Sequence, residues 1–277
     1  MSTFARHLDT AAAVAMRLLD DIGAELVRRS GTEAVSSKAD GTPVTAADVE
    51  TDERLRAGIR ANLPGHGIVS EEGDTRAPND TWTWVIDPID GTSNYTTGLP
   101  YWCVSMSLTF EGRPVLGIVD APALHRRYVA LDGRGAQRNG LPIRVRTPVD
   151  MGDRANRHIA VLLTTAAARR ARDAGIRLNV RVLGSTALDL ALVADGSAVA
   201  SLAIIPHVWD IAAGHVLLRE SGGTVVTWRD DPLLPLKPGQ DYAGQSAATA
   251  SAATAAYAGE LAQRLVTPPP GTSDSAR

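Results

Sequence analysis

Cysteine is nearly absent: Cys103 stands alone, so no disulfide can close within the chain, and a reducing compartment suits it. Aromatic residues are also scarce, with two Phe, five Trp and five Tyr making up 4% of the sequence. Neither charge is in surplus. The 28 Lys and Arg against 31 Asp and Glu leave a net charge of −3, without the basic excess that holds a protein to nucleic acid by charge. Long apolar runs are missing too. The most apolar stretches, Ile159–Leu163 and Ala198–Ile205, fall far short of the roughly 18 residues a spanning helix needs. Arg6, Asp9 and Arg17 interrupt what would be the core of a signal segment. These absences lead to an expectation of a soluble cytoplasmic protein with no membrane and no nucleic-acid partner. What is present, 44% hydrophobic and 21% charged over 277 residues, is enough for one or two domains with a sizeable core.

Leu8, Ala11, Ala15, Leu18, Ile22 and Leu26 recur at steps of three or four, which predicts a helix over 5–29 stopped by Ser30-Gly31. The polar connector Ser36–Pro43 carries turn chemistry, and a second helix is expected from Ala46 to Leu63, before Pro64-Gly65. Strand-like runs follow at Gly67–Ser70, Trp82–Ile86, Trp102–Phe110, Pro114–Asp120 and Arg127–Ala130; the Gly and Pro turns after Trp102 suggest an antiparallel meander. Beyond that the segments alternate. Strands are expected at 158–164, 177–182, 199–204 and 224–228, and helices at 166–174, 186–195 and 211–221. A last helix is expected over 252–266, because Ala is a strong helix former in the Ala/Ser/Thr-rich stretch 246–256. Such mixing indicates an α/β or α+β fold in more than one layer. Residues 267–277 lack any apolar pattern and read as a disordered tail.

The chemistry concentrates in Trp84–Tyr95 (WVIDPIDGTSNY), where an apolar strand runs into two carboxylates three residues apart. Pro88 stiffens the chain between them, so Asp87 and Asp90 can turn toward one point. Converging carboxylates repel each other unless a cation lies between them. Oxygen donors without Cys or His nearby select Mg²⁺ over zinc. Gly91 permits close backbone approach, and the N–H groups of Gly91, Thr92 and Ser93 could hold a phosphate. The competing reading is an Asx-Pro turn followed by a capped helix.

Two more acidic sites lie far off in sequence. Ser70-Glu71-Glu72-Gly73 closes a strand, and Trp209–Gly214 (WDIAAG) opens a helix. Glu71-Glu72 also fits a solvated acidic turn. Asp210 also fits a helix N-cap, a role compatible with ligation because a helix start offers N–H groups that fix a carboxylate. No Ser or Cys nucleophile with a His partner accompanies the motif, so direct attack by water is favoured over a covalent intermediate.

Ser70 to Gly73, Trp84 to Tyr95 and Trp209 to Gly214, in this order and at these separations, resemble the inositol monophosphatase family of Mg²⁺-dependent, lithium-sensitive phosphatases. The resemblance extends to Lys38, to Pro43–Asp48, to the Gly135–Gly140 turn and to Arg181–Asp189, and so covers nearly all of residues 5–265. It implies a layered αβαβα sandwich with an antiparallel sheet in the first half and a mixed sheet in the second. The halves would be 1–150, carrying most ligands, and 151–266, carrying Asp210, with the active site at their junction and a homodimer as the assembly.

The resemblance also assigns roles. Glu71, Asp87 and the Ile89 carbonyl would hold a first metal, Asp87, Asp90 and Asp210 a second, and Glu71 a weaker third with Glu72 behind it. Thr92 paired with Asp48 would orient and help deprotonate the attacking water, while Glu71 and Asp90 complete the catalytic set. Asp90, Gly91, Thr92, Ser93, Ser185, Thr186 and Asp210 would contact the substrate, and Lys38 would support the acidic cluster from outside. The function implied is hydrolysis of inositol 1-phosphate or a related polyol or sugar phosphate. Histidinol phosphate, 3′-phosphoadenosine 5′-phosphate and fructose 1,6-bisphosphate are the alternatives. Ser93-Asn94-Tyr95 leans to the inositol type, whereas the 38–43 loop and Ala121–Leu124 resemble the histidinol and nucleotide types. Ala203 stands where animal members carry a Glu that contacts an inositol hydroxyl. Thr186 reads equally as a helix N-cap, and His207 as a structural histidine. A non-catalytic sensor is disfavoured because it would not need the Asp48–Thr92 pair.

Overall fold

A computed structural model describes residues 2–38, 41, 43–147, 160–173 and 179–266. Connector residues 39, 40 and 42, the starts of the strands expected at 158 and 177, position 174 and the tail 267–277 lie outside the described residues. In chain order the elements are α1 (Thr3–Arg29), β1 (Ser36–Ser37), β2 (Pro43–Val44), α2 (Ala46–Asn62), β3 (Gly67–Ser70), β4 (Trp82–Asp90), α3 (Thr92–Thr97), β5 (Cys103–Phe110), β6 (Arg113–Ala121), β7 (Arg126–Leu131), β8 (Ala136–Arg138) and β9 (Leu141–Pro142). Then come β10 (Ala160–Leu163), α4 (Thr165–Asp173), β11 (Val180–Arg181), α5 (Thr186–Ala194), β12 (Ala198–Ala203), α6 (Val208–Glu220), β13 (Thr224–Thr227), β14 (Thr249–Ala252) and α7 (Ala255–Val266).

The strands of the first half form one seven-stranded sheet in the order β3-β4-β5-β6-β7-β8-β9. All its pairings are antiparallel except β3 with β4, which is parallel. Residues on a strand alternate faces, and this splits the core. Trp84 and Ile86 of β4, Met106 and Leu108 of β5 and Leu116 and Ile118 of β6 pack with Leu8, Ala15, Ile22 and Leu26 of α1 and Leu55 and Ile59 of α2. Val85, Cys103 and Val119 face the other way, onto Leu188 and Ala191 of α5 and Ala212, Ala213 and Val216 of α6. A second sheet, β11-β10-β12-β14-β13, is mixed: β10 is parallel to β11 and β12, and β14 is antiparallel to β12 and β13. Its outer face packs on Ala167 of α4 and on Ala258 and Leu261 of α7. The layers run α1/α2, seven-stranded sheet, α5/α6, five-stranded sheet, α4/α7, the expected αβαβα arrangement.

Helix α6 fits between the layers because its facing residues are small. A Cβ on Gly117 of β6 would overlap the Ala213 carbonyl, and one on Gly214 would overlap Leu190 of α5. The Ala-Ala-Gly run after Asp210 is therefore a packing requirement. None of the helices described is long and apolar enough to cross a membrane.

One expectation is corrected. Residues 249–252 form β14, between β12 and β13, so the final helix begins at Ala255. The side chains of Thr249–Ala252 are all buried. Small residues suit this slot between two strands, and ladder pairing on both sides outweighs alanine's helix preference.

Candidate active site

Asp87 and Asp90 end β4, and the strand is irregular where they sit. Asp87 pairs with Ser105 but Asp90 pairs with Cys103, so the chain takes three steps while its partner takes two. In a regular strand, residues three apart face opposite sides; a bulge of one extra residue turns both carboxylates to the same side. Pro88 occupies the bulge, where its missing N–H costs no ladder bond. The side they share is the one that faces α5 and α6.

Asp210 arrives from the second half as the third residue of α6. Its Oδ2 accepts the His207 backbone N–H at 2.7 Å in a capping box, so the helix start fixes the carboxylate as it caps itself. Asp87, Asp90 and Asp210 each place one carboxylate oxygen within 4.8 Å of the others. Burial holds the Asp87 carboxyl well above the usual range, with Glu71, Asp90 and Asp210 adding repulsion. Burial, then Asp90 and Glu71, raises Asp210 in the same way. Burial also raises Asp90, against hydrogen bonds from Ser185 and Ala187 that pull it down. Three crowded carboxylates without a compensating cation are costly, and a hard divalent ion is what an all-oxygen donor set fits. The acidic cluster therefore fits a metal of the Mg²⁺ class.

Glu71 follows β3, and its backbone N–H donates to the Ile86 carbonyl at 3.2 Å, which ties the turn to β4. Lys38 Nζ donates to Glu71 Oε1 at 2.8 Å and pairs with Glu72 as well. Although burial works against the Lys38 charge, the two glutamates outweigh it and raise the ammonium pKa. Burial raises the Glu72 carboxyl, with Lys38 opposing. Behind this turn Asp52 of α2 accepts the Ser70 hydroxyl and the Arg56 Nε–H, an anchor that no local motif announces.

Asp48 lies in the first turn of α2, capped reciprocally by Thr45. Thr45 N–H donates to Asp48 Oδ2 at 2.8 Å and the Thr45 hydroxyl at 2.5 Å, which leaves Oδ1 toward Thr92 Oγ1 at 3.3 Å. Burial raises the Asp48 carboxyl, partly offset by the Thr45 hydrogen bonds. Thr92 also lies 3.1 Å from the Ile89 carbonyl, and Ile89 N–H donates to Asp87 Oδ1 at 3.0 Å. Gly91 adopts φ 96° as the residue before α3, a conformation that favours glycine, and a Cβ there would press on the Tyr101 and Gly184 carbonyls.

From the second half, Ser185 caps α5, so Thr186 is the first helical residue and not the cap. Ser185 Oγ and the Ala187 N–H both donate to Asp90 Oδ2 at 2.6 Å. His207 stacks on Trp209 with rings 9° from parallel. Ala203 is buried at the end of β12. Local pattern missed Tyr101 and Asp189, whose side chains meet beside Asp90; an acid in the first turn of a buried helix was the available signal.

The family model described as "Inositol monophosphatase family" matches residues 4–263. The chain is 36% identical to "Nus factor SuhB" of Xylella fastidiosa over 182 residues, 62% of this chain and 64%, just under two thirds, of that protein. It is 31% identical to "Inositol monophosphatase 3" of Solanum lycopersicum over 231 residues, 74% of this chain and 84% of that one. Among solved structures, the Thermotoga maritima IMPase superposes with a TM-score of 0.77 at 26% identity, covering 94% of this chain and 97% of the other.

Proposed function

The chain belongs to the inositol monophosphatase family, and from that premise we propose that it is a Mg²⁺-dependent phosphomonoesterase that cleaves a polyol or sugar phosphate, inositol 1-phosphate first among them, by direct attack of water. The observation that carries this reading is the gathering of Asp87, Asp90 and Asp210 within 4.8 Å, beside an Asp48–Thr92 pair at 3.3 Å. Asp87, Asp90 and Asp210, with Glu71 and the Ile89 carbonyl, would hold two or three Mg²⁺ ions. When bound, the cations neutralise the phosphoryl oxygens, lower the pKa of water and stabilise the departing alkoxide.

The protein's own groups do the rest. Thr92 Oγ1 accepts a hydrogen bond from the attacking water and passes its own proton toward Asp48 Oδ1. The buried Asp48 has a raised pKa and so takes up that proton more readily than an exposed aspartate would. The first N–H groups of α3, without acceptors inside the helix, face the phosphate from the Gly91–Ser93 turn. As the water oxygen bonds to phosphorus the ester oxygen leaves, giving inorganic phosphate and the alcohol. Ser185 and Ala187 keep Asp90 in place through its Oδ2. Thr186 would meet a substrate hydroxyl, and Lys38, paired with both Glu71 and Glu72, would steady Glu71 with Glu72 behind it. The division into halves at 150/151, lithium sensitivity, a homodimer and a cytoplasmic location belong to the same reading.

The test is phosphate release with Mg²⁺ from inositol 1-phosphate, fructose 1,6-bisphosphate, histidinol phosphate and 3′-phosphoadenosine 5′-phosphate. Turnover of at least one, abolished by Asp90→Asn, is expected. Unchanged hydrolysis in Asp90→Asn would overturn the assignment.

A further inference from the structure

Asp90 is one of the carboxylates through which the two halves meet, and its position depends on where the start of α5 lies. Ser185 Oγ and Ala187 N–H reach it from α5 at 2.6 Å each. Something must hold α5 at that height, because a shift of about 1 Å would break both bonds. One tie acts at the start of α5, besides those that hold its C-cap Asp195 to Tyr128 and Arg138 at the other end. Tyr101, between α3 and β5, donates its hydroxyl to Asp189 Oδ1 in the first turn of α5 at 2.7 Å. The same stretch is sewn down a second time by Asn94 of α3. Its Nδ2 donates to the Tyr101 carbonyl and to the Leu183 carbonyl before α5, both at 2.7 Å.

Asp189 is 2% exposed, and among the described residues Tyr101 is the side chain that donates to it. A buried carboxylate with so little compensation is a poor device for stability. Its worth lies in direction: it fixes one helix start against one loop, next to Gly91, whose surroundings are the Tyr101 and Gly184 carbonyls.

We infer that the Tyr101–Asp189 hydrogen bond is a clamp that sets Asp90 in its metal-competent position, making Tyr101 and Asp189 positioning residues. The consequence for metal and substrate rests on the phosphatase reading above; the clamp itself does not. Cys103, the sole cysteine, reports on it directly. Its thiol is buried 3.6 Å from Ser185 Oγ and 3.9 Å from Asp90 Oδ2, at the joint the clamp closes.

The experiment compares Tyr101→Phe, Asp189→Leu and Asp189→Asn with the wild-type chain by two readouts. These are the rate at which a chromogenic disulfide reagent labels Cys103, and the affinity for Mg²⁺ or Mn²⁺ by calorimetry. Tyr101→Phe and Asp189→Leu should label about tenfold faster, the equivalent of one lost hydrogen bond, and bind the ion about tenfold more weakly. Asp189→Asn keeps an oxygen for the Tyr101 proton and should stay near wild type in both. Leu261→Ala, a truncation in the far α7 layer, controls for general loosening and should leave native-state labelling slow. The clamp is overturned if Tyr101→Phe labels at the wild-type rate, if Asp189→Asn is as impaired as Asp189→Leu, or if Leu261→Ala labels as fast as Tyr101→Phe. A wild-type chain that hydrolyses none of the phosphate esters overturns the phosphatase reading alone, while Cys103 labelling still decides the clamp.

Discussion

Ser185 donates its hydroxyl to Asp90 across 95 residues of sequence, at 2.6 Å, and joins the end of a strand in one sheet to the start of a helix beside the other. The site is therefore a property of the assembled layers, and its charges carry a cost that a bound cation would offset.

Replacing Asp90 with Asn removes one of three mutually repelling carboxyls. Activity with Mg²⁺ should fall by about two orders of magnitude or more. The metal-free protein should at the same time melt higher, by about 2–4 °C if relief of repulsion is worth about 1 kcal/mol. Phosphate release and calorimetric melting in a chelator check the two signs, and a lower Tm without loss of activity would contradict both.

Thr92→Ala and Asp48→Asn disable the proton path but leave the carboxylate triad intact. A fall in kcat of about 10²- to 10⁴-fold is expected, with Mg²⁺ affinity within a few fold of wild type. Steady-state kinetics at saturating Mg²⁺, paired with direct metal titration, separates these effects.

Protons and cations compete for the triad. Asp90 is pushed up to about 6 by burial, and Asp87 and Asp210 lie in the same raised direction. These groups bind protons in the folded protein at pH values where the unfolded chain has released them. Their stabilising effect is therefore complete below the unfolded carboxylate range near 4 and is lost as pH rises through the folded values. Mg²⁺ removes this penalty, so the Tm gained on adding Mg²⁺ should be large at pH 7.5 and shrink as pH falls through about 6. A gain independent of pH would show that the triad does not take the ion.

His66 works in the opposite direction. Burial lowers its pKa to about 4, helped by His7 and opposed by Asp80. Its Nδ1 accepts the Trp84 indole N–H at 3.1 Å, so its Nε2 carries the proton and donates to His7 Nε2 at 2.8 Å. A depressed histidine contributes stability that is complete above about 6.5 and lost as pH falls toward 4. Denaturant melts between pH 7 and 5 should show a smaller loss in His66→Gln than in the wild-type chain.

Gly117→Ala should destabilise the protein by about 1–3 kcal/mol, because the new methyl overlaps the Ala213 carbonyl of α6. The urea midpoint should fall with an unchanged slope. Since α6 carries Asp210, Mg²⁺ affinity should weaken in the same variant.

Much of this molecule was legible from its sequence because the relevant forces act over a few residues. The apolar period of Leu8–Leu26 specifies a helix with one buried face, and Thr45 and Asp48 cap α2 within their own turn. Hard-oxygen ligand chemistry followed from Asp87 and Asp90 ending an apolar strand. The bulge that turns both to one side depends on the register with Ser105 and Cys103, and that is a property of the partner strand. Only the folded layers could place Thr249–Ala252 as a central strand or join Tyr101 to Asp189, whereas the meeting of Asp210 with Asp87 and Asp90 was expected from the family resemblance and not from local pattern. Periodicity and capping are settled by neighbours along the chain, whereas convergence across 88 residues, as for Tyr101 and Asp189, is settled by which sheet faces pack together.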